Sequence, residues 1–132
     1  MPFIRITLGQ SVALARQQTL ARRATELIAA ILHKRAEVTA VQVVTAGADA
    51  WCIAGDAVAP TLTPSHAELF ITESTNTPAE KAEMIVALHC ALAETCGPLP
   101  EASYIVIHEV PAGNWGYGGL TQAARQQARQ GL

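Results

Sequence analysis

The chain has 132 residues, half of them apolar and 15% charged, with a formal net charge of -2. That length supports a core in one domain or two small fused ones, and the composition excludes a disordered chain. The weak negative charge gives no electrostatic reason to expect nucleic acid or an anionic membrane surface. No apolar run reaches the ~18 residues of a spanning helix, and no basic-then-apolar leader opens the chain. Cys52, Cys90 and Cys96 are odd in number and form no CxxC pair. They read as buried, reduced thiols of a cytoplasmic protein.

Taken in order, Phe3-Ile4-Arg5-Ile6-Thr7-Leu8 is short, β-branched and stopped by Gly9, which predicts a strand. Ser11 can cap a helix that runs to Lys34, with Leu20, Ala24, Leu27, Ile28 and Ile31 in one stripe. Arg16, Arg22 and Arg23 make its solvated face. Val38 to Thr45 returns as a strand, Trp51 to Gly55 adds a short ribbon, and residues 56–65, with Pro60 and Pro64, read as a linker. Glu68 to Thr72 opens a second strand-helix-strand run. Thr77-Pro78-Ala79-Glu80 combines a capping threonine, a first-turn proline and the glutamate of a capping box. Met84, Leu88, Ala91, Leu92 and Thr95 then form the stripe, and Gly97-Pro98 ends the helix. Ser103 to Val110 is the last long strand, its Ile105-Val106-Ile107 run suggesting burial on both faces. Asn114-Trp115-Gly116-Tyr117-Gly118-Gly119 follows as a tight turn that leaves Trp115 and Tyr117 on a ribbon.

The two halves repeat. Trp51 and Trp115 lie 64 positions apart, as do Gly55 and Gly119, and the same shift carries Ile6 onto Phe70 and Leu20 onto Met84. The expectation is a single domain, 1–132, with internal repeats at about 2–55 and 66–119. Strands joined through a helix run parallel with a right-handed crossover. The predicted class is α/β (α+β): duplicated β-α-β units form a four-stranded mixed sheet with two helices on one face, plus short β-ribbons. The other face would be bare and rich in Val and Ile, so self-association is expected to cover it.

Little of the chain suggests chemistry. His33, His66, His89 and His108 have no partner at ligand spacing, so no metal is expected. The glycine-rich run lacks the lysine and hydroxyl of a phosphate loop, and no cofactor motif is present. His108 and Glu109 are adjacent on a strand and face opposite ways, which rules out a dyad. Met1-Pro2 is different. Methionine before proline is usually removed, leaving a secondary α-amine that titrates near pH ~8. An apolar pocket disfavours its charged form and lowers that value, which suits a general base at neutral pH.

Pro2 at the head of the first strand, the paired helices and the segment Ile107 to Gly119 together resemble the tautomerase superfamily, the group of 4-oxalocrotonate tautomerase. The likeness spans nearly the whole chain, as a fused, two-unit member. It implies a homotrimer acting on a small enol or keto acid, with Pro2 as the catalytic proline moving a proton between carbon and oxygen or between carbons. It also implies that Trp115 walls the pocket. Asn114, Tyr104 or His108 would polarise the substrate oxygen, and Gln42 and Tyr104 would offer neutral hydrogen bonds where relatives use arginine. Tyr117 stands where the cis-3-chloroacrylic acid dehalogenases carry a glutamate, and the arginine pair of decarboxylases and dehalogenases falls near Ser74 and Asn76. Both activities are therefore disfavoured. The carboxylate-holding arginines of short tautomerases are replaced by Gln10 and Gln42, and by Thr75 or Asn76 and Tyr104. Arg5, Arg125 and Arg129 are the cations left to serve. Pro2 aligns with His66 in the repeat, inside the chain, so one proline site per chain is the maximum. The alternatives are a non-catalytic trimeric ligand-binding or interaction protein of the same fold, and a ferredoxin-like regulatory domain with an antiparallel sheet.

Overall fold

The structure, a computed structural model, describes residues 2–130. In β1 (Phe3–Leu8) the alternation of side chains sends Ile4, Ile6 and Leu8 into the core and Phe3, Arg5 and Thr7 to the opposite face. The chain crosses through α1 (Leu14–Ile31) and a single 3-10 turn (Ala36–Val38) to β2 (Ala40–Thr45), parallel to β1. β3 (Cys52–Ile53) and β4 (Asp56–Ala57) form a ribbon. The second unit repeats this with β5 (Ser65–Thr72), α2 (Pro78–Cys96), a parallel β6 (Tyr104–Val110), and a ribbon of β7 (Gly116–Tyr117) and β8 (Leu120–Thr121). A short helix, α3 (Gln122–Gln130), follows. The sheet order is β2-β1-β5-β6, with β1 and β5 antiparallel at its centre. This is the expected mixed sheet, and its parallel outer pairs exclude the ferredoxin-like alternative.

Both helices lie on one face. Leu20, Ala24, Leu27 and Ile28 of α1 and Met84, Leu88, Ala91 and Leu92 of α2 are buried against Ile4, Ile6, Leu8, Ala67, Leu69 and Ile71 of the two central strands. The α2 start is capped as expected: the Glu80 amide donates to Thr77 Oγ1 at 3.1 Å and the Thr77 amide to Glu80 Oε1 at 2.8 Å. The α1 ends differ from expectation. Its first turn closes on the Ala13 carbonyl, which accepts from the Arg16 and Gln17 amides, so Ser11 lies too far back to cap. It stops at Ile31 rather than Lys34 because His33 turns left-handed, at φ 59°. The segment 56–65 is not wholly a linker, since Asp56 and Ala57 belong to a ribbon strand and Ser65 to β5.

The open face also departs from expectation. Alternation sends Ile105 and Ile107 to the helices, and the exposed side carries Arg5, Gln42, Glu68, Phe70 and His108 among a few valines. Cys52 and Cys90 are exposed and Cys96 is half-buried, all three as free thiols. Cys52 sits in a two-residue ribbon strand and Cys90 on the outer side of α2, so neither reaches the core. Burial pushes the Cys96 thiol pKa up.

The ribbons repeat with a shift of 64 residues: the pair Cys52↔Ala57 recurs as Gly116↔Thr121. The central strands repeat with a shift of 63. Ala40 pairs with Phe3, and Tyr104, 64 residues after Ala40, pairs with His66, 63 after Phe3. Ile6 therefore corresponds to Leu69 rather than Phe70, and Pro2 to Ser65 rather than His66. A one-residue slip exchanges the two faces of a strand, which is why only the odd shift keeps both apolar sets on the core.

Both turns hold two successive residues in the left-handed region, Ala54 and Gly55 in one, Gly118 and Gly119 in the other. Ala54 pays a Cβ penalty that Gly118 avoids. Ala54→Gly is expected to raise stability by up to about 1 kcal/mol, measured by urea unfolding. Leu69→Ala, at a fully buried central position, is expected to lower it by about 2–5 kcal/mol.

Candidate active site

The β1–β5 pairing decides what lies beside Pro2. Phe3 faces Phe70, so the register carries Pro2 to the level of Ile71, next to Thr72 at the end of β5. Pro2 is fully buried in the single chain. The Trp115 indole Nε1–H donates to Thr72 Oγ1 at 3.2 Å, which anchors the second ribbon at that end of the sheet. Asn114 shares a hollow of roughly 300 Å³ on that hairpin with Trp115 and five neighbouring residues, and Pro2 is not among them. Pro2, Trp115 and Asn114 thus gather at one end of the molecule. Met1, whose removal the proline chemistry requires, lies outside the described residues.

The other candidates are placed elsewhere. Tyr104 is 63% exposed and sits opposite His66, at the other end of β5. Six residues of strand separate His66 from Thr72, about 20 Å. Gln42 lies midway along the edge strand β2, where its Oε1 accepts from Arg5 Nε at 3.2 Å. His108 is level with Phe70, on which it stacks at 4.6 Å, and its Nε2 lies 3.2 Å from Glu68 Oε1. Glu109 instead faces Lys81 at 2.6 Å, so these neighbours form no dyad. Tyr117 is covered by the Arg125 guanidinium at 3.8 Å, and Arg125 Nη2 also donates to the Tyr117 carbonyl at 2.9 Å. Arg125 is thus spent on holding the hairpin. Gln10, in a family arginine position, donates to the Pro60 and Leu62 carbonyls and braces the connection between the units.

Sequence reasoning passed over Lys34. Its Nζ donates to Thr75 Oγ1 at 2.7 Å, and Thr75 Oγ1 donates to the Thr72 carbonyl at 2.6 Å. This chain of contacts links a cation to the residue that holds Trp115. Burial lowers the Lys34 pKa, partly offset by the Glu80 carboxylate. The signal was present in outline: a lysine just past the last core residue of α1, before a strand whose Ala40 amide donates to the Pro2 carbonyl at 3.3 Å. Thr75 and Asn76 are themselves occupied, since Asn76 Nδ2 donates to the Leu32 carbonyl and to Glu80. Among the described residues, no three His, Cys, Asp or Glu side chains cluster as a metal site. No described helix is long and apolar enough to cross a membrane.

Residues 68–125 match the family model described as Tautomerase enzyme. The match covers the unit that begins without a proline. Solved structures agree over nearly the full length. A fused 4-OT solved as a symmetric trimer is 17% identical with a TM-score of 0.83, covering 93% of this chain and 98% of that one. The chain is a two-unit protein of the tautomerase-superfamily fold. A structure of Pt0534 inactivated by 2-oxo-3-pentynoate is 18% identical with a TM-score of 0.81, at 93% and 98% coverage. A macrophage migration inhibitory factor-like protein from Entamoeba histolytica is 19% identical with a TM-score of 0.76, at 91% and 97% coverage. No curated protein matches the sequence.

The polar cluster behind the tautomerase-fold site has a testable pH signature. The Thr77 amide, then Asn76, holds the Glu80 carboxyl below its usual range. Folding therefore favours the ionised form. The stabilisation is complete above the ordinary carboxylate pKa and is lost as pH falls through the depressed folded value. Glu80→Gln is expected to have a lower Tm than the parent at pH 7, with the gap closing as the pH is lowered through that window.

Proposed function

We propose that this chain is an isomerase of the tautomerase type in which Pro2, freed of Met1, acts as the general base on an enol or 2-hydroxydienoate-type acid. The observation that supports the reading is a buried Pro2 level in register with Ile71, one residue from the Thr72 that accepts the Trp115 indole N–H. A buried secondary amine resists protonation, so more of it is available as base near neutral pH. Pro2 takes a proton from the substrate oxygen or carbon and returns it to a neighbouring carbon, while Trp115 keeps water from the amine. Asn114, exposed on the same hairpin, donates to the developing oxyanion.

Lys34 answers the missing arginines in this proposal. It is a half-buried cation at the Pro2 end of the sheet, and a single ammonium suits a single carboxylate better than a dicarboxylate. Fused 4-OT relatives have been solved as trimers. We extend this to a homotrimer here, packed through the open face that carries Arg5, Glu68, Phe70 and His108. The hairpin hollow of Trp115 would then be completed by a neighbouring copy.

Intact mass should show a chain lacking Met1. With an enol-pyruvate-type acid, kcat/KM should rise through a pKa below that of an ordinary α-amine. Pro2→Ala should lower kcat/KM by about 10²-fold or more, and equal rates for the two proteins would end the proposal. Lys34→Ala should raise KM roughly tenfold for the acid with little effect on its methyl ester, and Lys34→Arg should restore it. A non-catalytic protein of this fold predicts no turnover and no dependence on Pro2 in the same assay.

A further inference from the structure

The duplication that builds the Pro2 site also builds a second place of the same design at the far end of the β1–β5 pair. A Cβ on Gly9 would lie 2.8 Å from the Trp51 ring, so this indole rests on the end of β1 as Trp115 rests on the end of β5. Leu8 faces Ser65, which puts Trp51 beside the start of β5. Here the strand begins with serine where the first unit has Pro2. Replacing a pyrrolidine ring by a hydroxymethyl group leaves room, and the room is there. A hollow of roughly 380 Å³ is lined by eight residues, among them Trp51, Cys52, Ser65, His66 and Tyr104.

We propose that this hollow is a second, non-covalent binding site for a small uncharged aromatic molecule carrying one hydroxyl or carbonyl group. Its volume lies in the lower part of the range of small-molecule sites, about 300–1,000 Å³. Trp51 and Tyr104 supply aromatic surface for an aromatic guest. The polar anchor is Ser65, which lines the hollow: the residue is 1% exposed, and among the described residues its buried Oγ has no hydrogen-bond partner. A buried hydroxyl left unpaired is unfavourable, and a rotation about χ1 that turns it to a ligand oxygen or N–H removes that penalty. The ligand class follows from the rest of the wall. Among the described residues no Lys, Arg, Asp or Glu lines the hollow, so a carboxylate would be stripped of water with no permanent cation to meet it. This separates the site from that proposed around Pro2 and Lys34, which favours an acid. The inference does not depend on catalysis at Pro2.

The chain has two tryptophans, so a 15N-labelled sample gives two indole cross-peaks, assignable with Trp51→Phe and Trp115→Phe. Titration of the labelled full chain with 4-methylphenol is expected to move the Trp51 peak saturably and leave the Trp115 peak in place. 4-Methylbenzoate should leave the Trp51 peak in place. Ser65→Ala should weaken binding by about tenfold, and Tyr104→Ala, at a position exposed in the single chain, should weaken it with the fold and the oligomeric state unchanged. Pro2→Ala should bind as the parent does. The proposal is overturned by the absence of a saturable shift, by a shift centred on Trp115, by equal affinity for the benzoate, or by unchanged affinity in both Ser65→Ala and Tyr104→Ala.

Discussion

The antiparallel contact between β1 and β5 is the constraint on which everything else rests. Each β-α-β unit alone would leave one edge of its first strand unpaired and one flank of its helix bare. Joining the two first strands edge to edge removes both exposures at once, and the six core residues Ile4, Ile6, Leu8, Ala67, Leu69 and Ile71 become one apolar floor beneath both helices. Antiparallel pairing also brings the start of each first strand beside the end of the other. Each ribbon is anchored at the end of its own unit's first strand, by Trp115 on Thr72 and by Trp51 over Gly9. The wall that each unit builds therefore serves its partner's strand start.

That exchange explains how two equivalent places acquired different character. Around Pro2 there is a hydroxyl at Thr72 to fix the indole and an ammonium within its hydrogen-bond chain. Around Ser65 the corresponding strand end is Gly9, which has no side chain to hold Trp51, and among the described residues the wall has no Lys, Arg, Asp or Glu. The difference is one of polarity more than shape, and polarity is what sorts acids from uncharged molecules. α3 adds to the asymmetry, since the Gln122 and Ala123 amides tie it to the Trp115 and Ala112 carbonyls and its Arg125 covers Tyr117.

Much of the fold was legible because it is written in local chemistry. The stripes of α1 and α2, the Thr77–Glu80 capping box and the double-glycine turn at Gly118-Gly119 each depend on residues close in sequence, and each formed as expected. The misreadings arose where the outcome depends on distant partners. Matching Ile6 with Phe70 looks sensible when both are large and apolar, and only pairing to a neighbour shows that Phe70 faces away from the helices and stacks on His108. Tyr104 and Gln42 are substrate-binding candidates on the strength of the resemblance, and within one chain strand register places the first at the far end of β5 from Pro2 and the second against Arg5. Lys34 was hidden for the opposite reason: it lies at a helix end with nothing local to mark it, and its hydrogen-bond partner, Thr75, is 41 residues away.

Ser65 is an interior residue, and this has an evolutionary edge. Substitution can exchange one side chain for another, but it cannot turn a peptide nitrogen into an amine. Even a proline at this position would carry an acylated nitrogen without basicity, so a continuous chain closes this place to amine chemistry. Only scission of the chain between Pro64 and Ser65 would open it.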